Sequence, residues 1–217
     1  KERKLYYEWL RRGAVGQPIF WGGAEAFMER EKQCLLSPRL RNQFADLTSW
    51  EALKPIRQRF EAKAWEKSNL NWMSYVDLNL RLPELLLMRV DKMSMGVSLE
   101  GRVPFLDHKF VELAMSIPSA MKTRDDTLKY ILKKSVRGLI PDELIDRKKQ
   151  GFGVPVYEWF FDRLGQQARQ ELNDFCDQTD FLDRSAVMNL FDNNRGPQAW
   201  YLLNFALWWK EYINVAA

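Results

Sequence analysis

Apolar residues recur at helical spacing along most of the chain, and the helices they predict end at recognisable stop signals. The chain opens with the helical pattern KERKLYYEWLRR, and another helix is predicted over residues 24–36, before Ser37 and Pro38. Thr48 and Glu51 have the spacing of a capping box, with Pro55 one turn into the helix that follows. Further helices are predicted over residues 69–82, 83–99, 107–117, 126–138, 156–178 and 197–214. No sustained alternation of period two predicts a strand, so we predict a mainly α fold.

The predicted helix over residues 82–99 is apolar on nearly every side, and such a helix is expected to be buried. Arg89 and Asp91 fall within its apolar arcs. Charged groups in that position need partners or a polar cavity. Two interpretations stay open for them: an ion pair that only fixes packing, or support for a site.

The stretch after this helix places charge beside apolar bulk. Pro104 favours an extended conformation at the preceding valine, so a loop is predicted, with Phe105 and the next leucine inserted in the core. Glu100 and Arg102 then project either into a site or into a surface ion pair. Asp107 has the position of a helix N-cap.

The net charge of +4 in 217 residues is concentrated in one segment, because residues 121–151 hold nine Lys or Arg against five acids. Lys129 is predicted at the edge of a narrow apolar helix stripe, where a lysine can meet phosphate charge; a solvated basic face is the alternative. The loop RKKQGFGVP combines Arg147, Lys149 and Gly151, and predicts either an anion-binding concavity or an ordinary exposed turn.

Several classes of protein are disfavoured by the same sequence. Cys34, Cys176 and the single His108 are too far apart for a zinc set, so we expect neither a structural metal nor a disulfide framework. No apolar run has the length of a membrane span, and no signal peptide opens the chain. We expect a soluble, cytoplasmic protein.

Two segments carry a resemblance to a known family. LLLMRVDKMSMGVSLEGRVPFLDHKFVELA and LKYILKKSVRGLIPDELIDRKKQGFGVPVYEWF, in that order and at that spacing, closely resemble the C-terminal half of the synthetase domain of class B, glutamine-hydrolysing asparagine synthetases. The match is specific from about Pro83 to Phe160. The resemblance implies that the chain, residues 1–217, is the helical C-terminal half of an α/β synthetase domain of the PP-loop ATP pyrophosphatase (adenine-nucleotide α-hydrolase-like) class.

The resemblance also implies a reaction and roles for residues. ATP adenylates the aspartate side-chain carboxylate, pyrophosphate leaves, and glutamine-derived ammonia attacks to give asparagine and AMP. Lys129 matches the lysine that contacts pyrophosphate and the activated intermediate, so it is the predicted catalytic residue. The predicted substrate- and pyrophosphate-binding residues are Glu100, Arg102, Asp107, Lys133, Arg147, Lys149 and Gly151. The predicted supporting residues are Arg89, Asp91, Phe105 and Phe152.

This chain departs from the family pattern in what it lacks. The SGGxDS loop is absent, and WGGAEAF at Trp21 has neither its serine nor its aspartate in place. The acidic SGEGxDE-type segment and the N-terminal nucleophilic cysteine are absent too. We therefore expect a piece of a longer enzyme that uses ATP with Mg²⁺, with the metal ligands and a glutaminase domain upstream of Lys1. The piece alone is predicted to be inactive and to self-associate.

Three alternatives remain from the residues alone. A helical nucleic-acid-binding module would explain the basic segment, although acids interleave with most of its cations. If the chain is instead a non-catalytic helical scaffold, Lys129→Ala in the full-length protein should leave any amide-forming activity intact. A relative within the family could instead close β-lactam rings, cyclise peptides or amidate sugars.

Overall fold

A computed structural model describes residues 2–23, 25–151, 155–160 and 162–214. The chain folds as two compact units. The terminal unit comprises Lys1–Ile19, Glu25–Ser49 and Phe152–Ala217, and the central unit comprises Phe20–Ala24 and Trp50–Gly151.

Helices dominate the part of the chain that the structure describes, which confirms the prediction of a mainly α fold. In chain order they are α1 (Glu2–Ala14), α2 (Glu29–Leu35), α3 (Pro38–Gln43), α4 (Trp50–Lys63), α5 (Asn69–Val76), α6 (Met88–Met95), α7 (His108–Ser116), α8 (Ser119–Lys122), α9 (Tyr130–Ser135), α10 (Asp142–Asp146), α11 (Val156–Trp159), α12 (Arg163–Gln178), α13 (Arg184–Asp192) and α14 (Gly196–Tyr212). A π-helical segment covers Asp77–Leu87, a 3₁₀ turn covers Pro104–Leu106, and two short strands are β1 (Thr123–Arg124) and β2 (Thr127–Leu128).

The core of the terminal unit lies between α12, α13 and α14. Its buried positions on α12 are Ala168, Leu172 and Phe175, a helical spacing of four and three. On α14 the buried apolar positions are Ala199, Leu202, Leu203 and Ala206. Each set forms one apolar stripe, so the two helices bury their stripes against each other and against Val187 of α13.

The core of the central unit is built by α4 and α5 together with Trp21. Leu53, Ile56 and Phe60 lie on one side of α4 and pack on Trp72 and Val76 of α5. Trp72 Nε1 donates to the carbonyl oxygen of Phe20 at 2.8 Å, which satisfies its polar atom within the core. This cluster holds the chain around residue 20 to the two helices.

In the central unit three predictions of local structure are wrong. No helix boundary lies at Pro83, because α5, the π-helical segment and α6 follow one another without a break and Pro83 lies inside the segment. A proline cannot donate an α-helical hydrogen bond and its ring crowds the preceding turn, and a locally wider turn relieves both constraints.

The second wrong prediction concerns burial of the helix over residues 82–99. No residue between 77 and 144 is buried. Met93 and Val97 expose 76% and 77% of their surface. Helical periodicity shows which positions are apolar, but it does not show whether another element of the same chain covers them.

The third concerns the predicted helix from Asp126. Asp125 and Asp126 have φ of +48° and +57° and form the two-residue turn between β1 and β2, which pair antiparallel with Thr123 opposite Leu128. Helix α9 therefore begins only at Tyr130. Strands of two residues are too short to show a period, which is why the sequence did not predict them.

Candidate anion-binding site of the central unit

In the loop before α7, Val103 has φ of −127° and ψ of +75°, so it avoids the α-helical region that the following proline disfavours, although it is not fully extended. It does not fill a core. Phe105 is 65% exposed and packs edge-on against Phe110 with ring centroids 5.6 Å apart. Phe105 and Leu106 line a cavity of about 400 Å³ with Arg81 and Lys122. The insertion of Phe105 in the core is thus a wrong prediction, and the residue forms a wall of an open cavity.

Glu100 and Arg102 are joined to each other. Arg102 Nη2 lies 3.0 Å from Glu100 Oε2, and the two side chains are 81% and 67% exposed. This is the surface ion pair that the sequence left open. Such a pair adds little to stability, so both side chains can exchange partners readily.

Asp107 is the N-cap of α7, as predicted. One carboxylate oxygen, Oδ1, accepts hydrogen bonds from the backbone N–H of Lys109 at 3.0 Å and of Phe110 at 3.2 Å. These bonds satisfy two of the free donors at the start of the helix. The carboxylate therefore orients the loop to which Phe105 belongs.

Lys129 occupies a different position from the predicted one. It precedes α9 as the N-cap and has left-handed backbone angles, φ +58° and ψ +35°. Its side chain is exposed, and among the described residues it makes neither an ion pair nor a side-chain hydrogen bond. A non-glycine residue in the left-handed region has a conformational energy cost, and the surrounding structure must offset that cost. The hairpin turn immediately before it imposes that geometry.

Three further predicted cations of this unit, Lys133, Arg147 and Lys149, are also unpaired within the described residues. Lys133 is half-buried on α9, whereas Arg147 and Lys149 are exposed at and after the end of α10, close in sequence to the exposed Gly151. Their neighbour Arg137 behaves differently, because it bonds to Asp142 at 3.0 Å and to Asp146 at 2.7 Å. Acids of the segment thus pair with Arg137 and Arg124, whereas the four predicted site cations of the segment, Lys129 included, have no carboxylate partner among the described residues.

No hydrogen bond or ion pair between described residues joins Lys129 to the loop at Val103 or to the loop at Arg147. Arg89 and Asp91 are exposed on α6 and form no ion pair with each other, so the buried pair that we considered for them is wrong. Phe152 lies outside the described residues. The other predicted residues share the central unit, but among the described residues the Glu100–Arg102 pair is the one hydrogen bond or ion pair between their side chains.

The structure adds a polar network that the sequence did not predict. Glu66 accepts hydrogen bonds from the hydroxyl and the backbone N–H of Ser119 at 2.7 and 2.8 Å, and these bonds lower the pKa of its carboxyl. Lys122 Nζ donates to Asn71 Oδ1 at 2.8 Å, and desolvation by burial lowers the pKa of this lysine. The partners in these hydrogen bonds are about fifty residues apart in the chain, so no local sequence pattern predicts their contacts.

A comparison with protein families matches residues 3–210 to the asparagine synthase family. This chain belongs to that family. The resemblance seen in the sequence is therefore confirmed over nearly the whole chain, beyond the stretch from Pro83 to Phe160 that carried it.

Three relatives illustrate the match. Asparagine synthetase [glutamine-hydrolyzing] 1 of Bacillus subtilis is 31% identical over 210 residues, which cover 92% of this chain and 31% of that protein. Asparagine synthetase [glutamine-hydrolyzing] 3 of the same organism is 51% identical over 67 residues, or 31% of this chain and 11% of that protein. The asparagine synthetase [glutamine-hydrolyzing] of Gallus gallus is 30% identical over 120 residues, or 52% of this chain and 20% of that protein.

The chain of this family member spans about a third of the length of the first of these relatives. No solved structure matches it significantly. In the described part of the chain, no group of three or more His, Cys, Asp or Glu is arranged to hold a metal ion, and no helix is long and apolar enough to cross a membrane.

Proposed function

We propose that this chain supplies part of the active site of an ATP-dependent synthetase that converts aspartate to asparagine. In this proposal ATP adenylates the side-chain carboxylate, pyrophosphate leaves, and ammonia from glutamine attacks the acyl-adenylate. Lys129 binds the departing pyrophosphate. Family membership supports the class of reaction.

One observation supports the choice of Lys129: an unpaired lysine held in a left-handed conformation before a helix. Glycine would adopt these angles without the cost, and a structural role needs no ammonium group there. A strained residue kept at a charged position is typical of a functional site. A fixed cation stabilises the negative charge that develops on a leaving pyrophosphate and contributes several kcal/mol when water is excluded.

The remaining predicted residues have supporting roles in this proposal. Lys133, Arg147 and Lys149 add positive charge, and the backbone N–H of Gly151 adds a donor. Glu100 and Arg102 exchange their mutual bond for contacts with substrate, while Asp107 holds the Phe105 loop. ATP is expected to bind with Mg²⁺, whose ligands we assign to sequence outside this chain, so no step is assigned here to a metal.

The exposed apolar stretch from 77 to 144 supports the domain assignment. We propose that residues 1–217 form the helical part of a PP-loop synthetase domain, and that this stretch packs against its α/β nucleotide-binding core. An apolar surface of this extent is typical of a protein interface. A glutaminase domain would complete the enzyme.

The test uses the full-length protein that carries this chain and measures aspartate-dependent exchange of labelled pyrophosphate into ATP. Lys129→Ala and Lys129→Gly should each reduce exchange by about 10²- to 10³-fold, the size of a lost electrostatic contact in a transition state. Lys129→Gly should also leave thermal stability unchanged or higher, because glycine removes the strain. Exchange near the wild-type rate in Lys129→Gly would overturn the proposal.

Lys134→Ala is the matched control. Lys134 is exposed on the same helix, with its ammonium 5.8 Å from the Tyr130 ring centroid. Its loss should change exchange by less than about twofold, because a surface cation–π contact contributes little. An equal loss in Lys134→Ala and Lys129→Ala would indicate a general effect of positive charge.

The isolated chain gives a second test. It should release no pyrophosphate from ATP and aspartate, and release at a rate comparable to that of the full-length protein would contradict the division of the site. A nucleic-acid-binding module would instead show filter binding of duplex that weakens steeply between low and moderate salt.

A further inference from the structure

A second cavity lies entirely within the terminal unit, in a different unit from Lys129. Its volume is about 840 Å³, within the range of small-molecule sites. Apolar side chains form much of its wall: Phe27, Met28, Leu35 and Leu190. Segments from α1, α2 and α13 meet here, and the cavity has no counterpart among the residues that the family resemblance assigned.

The walls are fixed by backbone hydrogen bonds. Ser37 N donates to the Phe181 carbonyl at 2.9 Å, and Asp183 N donates to the Leu35 carbonyl at 2.8 Å. These bonds tie the end of α2 to the start of α13. A cavity with walls joined in this way is preformed, which lowers the cost of ordering on binding.

The carboxylates that line the cavity already have cationic partners. Glu8 bonds to Arg11 at 2.7 Å and to the buried Arg12 at 3.0 Å. Burial alone raises the pKa of Glu8, but these two arginines outweigh burial and lower it. Glu31 bonds to Arg195 at 2.9 Å. Both acids therefore have arginine partners within the unit.

Arg30 differs from the other arginines that line the cavity, because it has no carboxylate partner among the described residues. It lines the cavity, is exposed, and makes neither an ion pair nor a side-chain hydrogen bond with the described residues. With Glu8 and Glu31 neutralised, the mouth keeps one unmatched positive charge beside an apolar wall. A single unmatched arginine complements a single negative charge, and a guanidinium binds a carboxylate through two parallel hydrogen bonds.

We propose that this cavity binds a monocarboxylate with an extended apolar body, such as a medium-chain fatty acid. The apolar body lies against Phe27, Met28 and Leu190, and the carboxylate accepts hydrogen bonds from Arg30. The site is independent of the proposed synthetase reaction, so either proposal can fail alone.

Cys34 makes the site directly measurable, because its exposed thiol lines the same cavity. In a Cys176→Ser background, alkylation of Cys34 by iodoacetamide is followed by mass spectrometry with and without decanoate. Decanoate should slow alkylation at least threefold. Three probes serve as controls: acetate lacks the apolar body, decanol lacks the charge, and decyltrimethylammonium has the opposite charge. Each should leave the alkylation rate within about 1.5-fold of the rate without a probe.

Two variants test the geometry, with calorimetry of decanoate below its micelle concentration as a second readout. Arg30→Glu should weaken binding at least tenfold, and Asn189→Trp, at an exposed lining position, should weaken it by filling the cavity. Arg59→Glu changes an exposed arginine of α4 in the central unit and should alter affinity less than twofold. Equal protection by decanol, unchanged affinity in Arg30→Glu, or no binding of decanoate to the wild type would each overturn the proposal.

Discussion

The two units bury their apolar residues to very different degrees. In the terminal unit α12 and α14 each bury an apolar stripe along their length. In the central unit the main core ends at Val76, and the following residues up to 144 contain none that is buried. The terminal unit therefore buries the main apolar stripes of its long helices within the chain, whereas residues 77–144 of the central unit leave their apolar side chains at least partly exposed. Apolar residues at helical spacing are therefore compatible with burial in one unit and with exposure in the other.

We expect the largest effect from a variant that tests how far the stability of the terminal unit depends on its buried arginine. Arg12 is 1% exposed and bonds to Glu8 at 3.0 Å, to Glu25 at 2.5 Å and to the Ile19 carbonyl at 2.7 Å. Arg12→Met should lower the free energy of unfolding by about 3–5 kcal/mol, because it removes a buried cation that bonds to two carboxylates and a carbonyl oxygen and leaves them without this partner. Urea denaturation followed by circular dichroism measures the change.

Arg11→Met is the matched control for that variant. Arg11 bonds to the same Glu8, but its side chain is 37% exposed. Its removal should cost at most about 1 kcal/mol, since an exposed partner is replaced by water. Similar losses in the two variants would show that burial of Arg12 does not determine the stability of this unit.

The next effect compares one substitution in both units. Leu172→Ala removes a fully buried side chain of α12 and should cost about 2–5 kcal/mol. Leu99→Ala removes a side chain that is 63% exposed and should cost less than about 0.5 kcal/mol. Both are measured by urea denaturation of this chain. A cost above about 2 kcal/mol for Leu99→Ala would mean that the central unit is covered in solution.

The sequence predicted best where one helix buries one stripe. The spacing of Thr48 and Glu51 predicted a helix that the structure shows as α4, and the position of Asp107 predicted an N-cap, because both depend on neighbours within two turns of the helix. The left-handed angles of Lys129 were not predictable, since they follow from a hairpin whose strands have two residues each. Nor was exposure of residues 77–144, because periodicity does not reveal what covers a surface.

A smaller effect tests the hairpin that positions Lys129. Asp126 has φ of +57° in the two-residue turn. Asp126→Gly should raise the free energy of unfolding by up to about 1 kcal/mol, because glycine adopts positive φ readily and is preferred at such turns. Asp126→Ala, whose Cβ disfavours the same angles, should lower it. Thermal melts of both variants measure the difference, and a destabilising Asp126→Gly would contradict the turn geometry.

The smallest effect concerns the pH dependence of the central unit. Hydrogen bonds from Ser119 lower the pKa of Glu66 in the folded chain. Because the pKa of Glu66 is lower in the folded chain than in the unfolded chain, ionised Glu66 stabilises the fold. This contribution to the free energy of unfolding is complete above the unfolded pKa of about 4.3 and is lost as the pH falls through the folded pKa.

Glu66→Gln should therefore lower the urea midpoint at pH 7 and reduce its decline between about pH 5 and pH 3. Glu84→Gln changes an exposed glutamate without an ion pair among the described residues and should leave both the midpoint and its pH dependence as in the wild type. Midpoints measured at pH 7, 5, 4 and 3 make the comparison. If Glu66→Gln declines as steeply as the wild type, the Ser119 contacts do not contribute to the acid sensitivity of this unit.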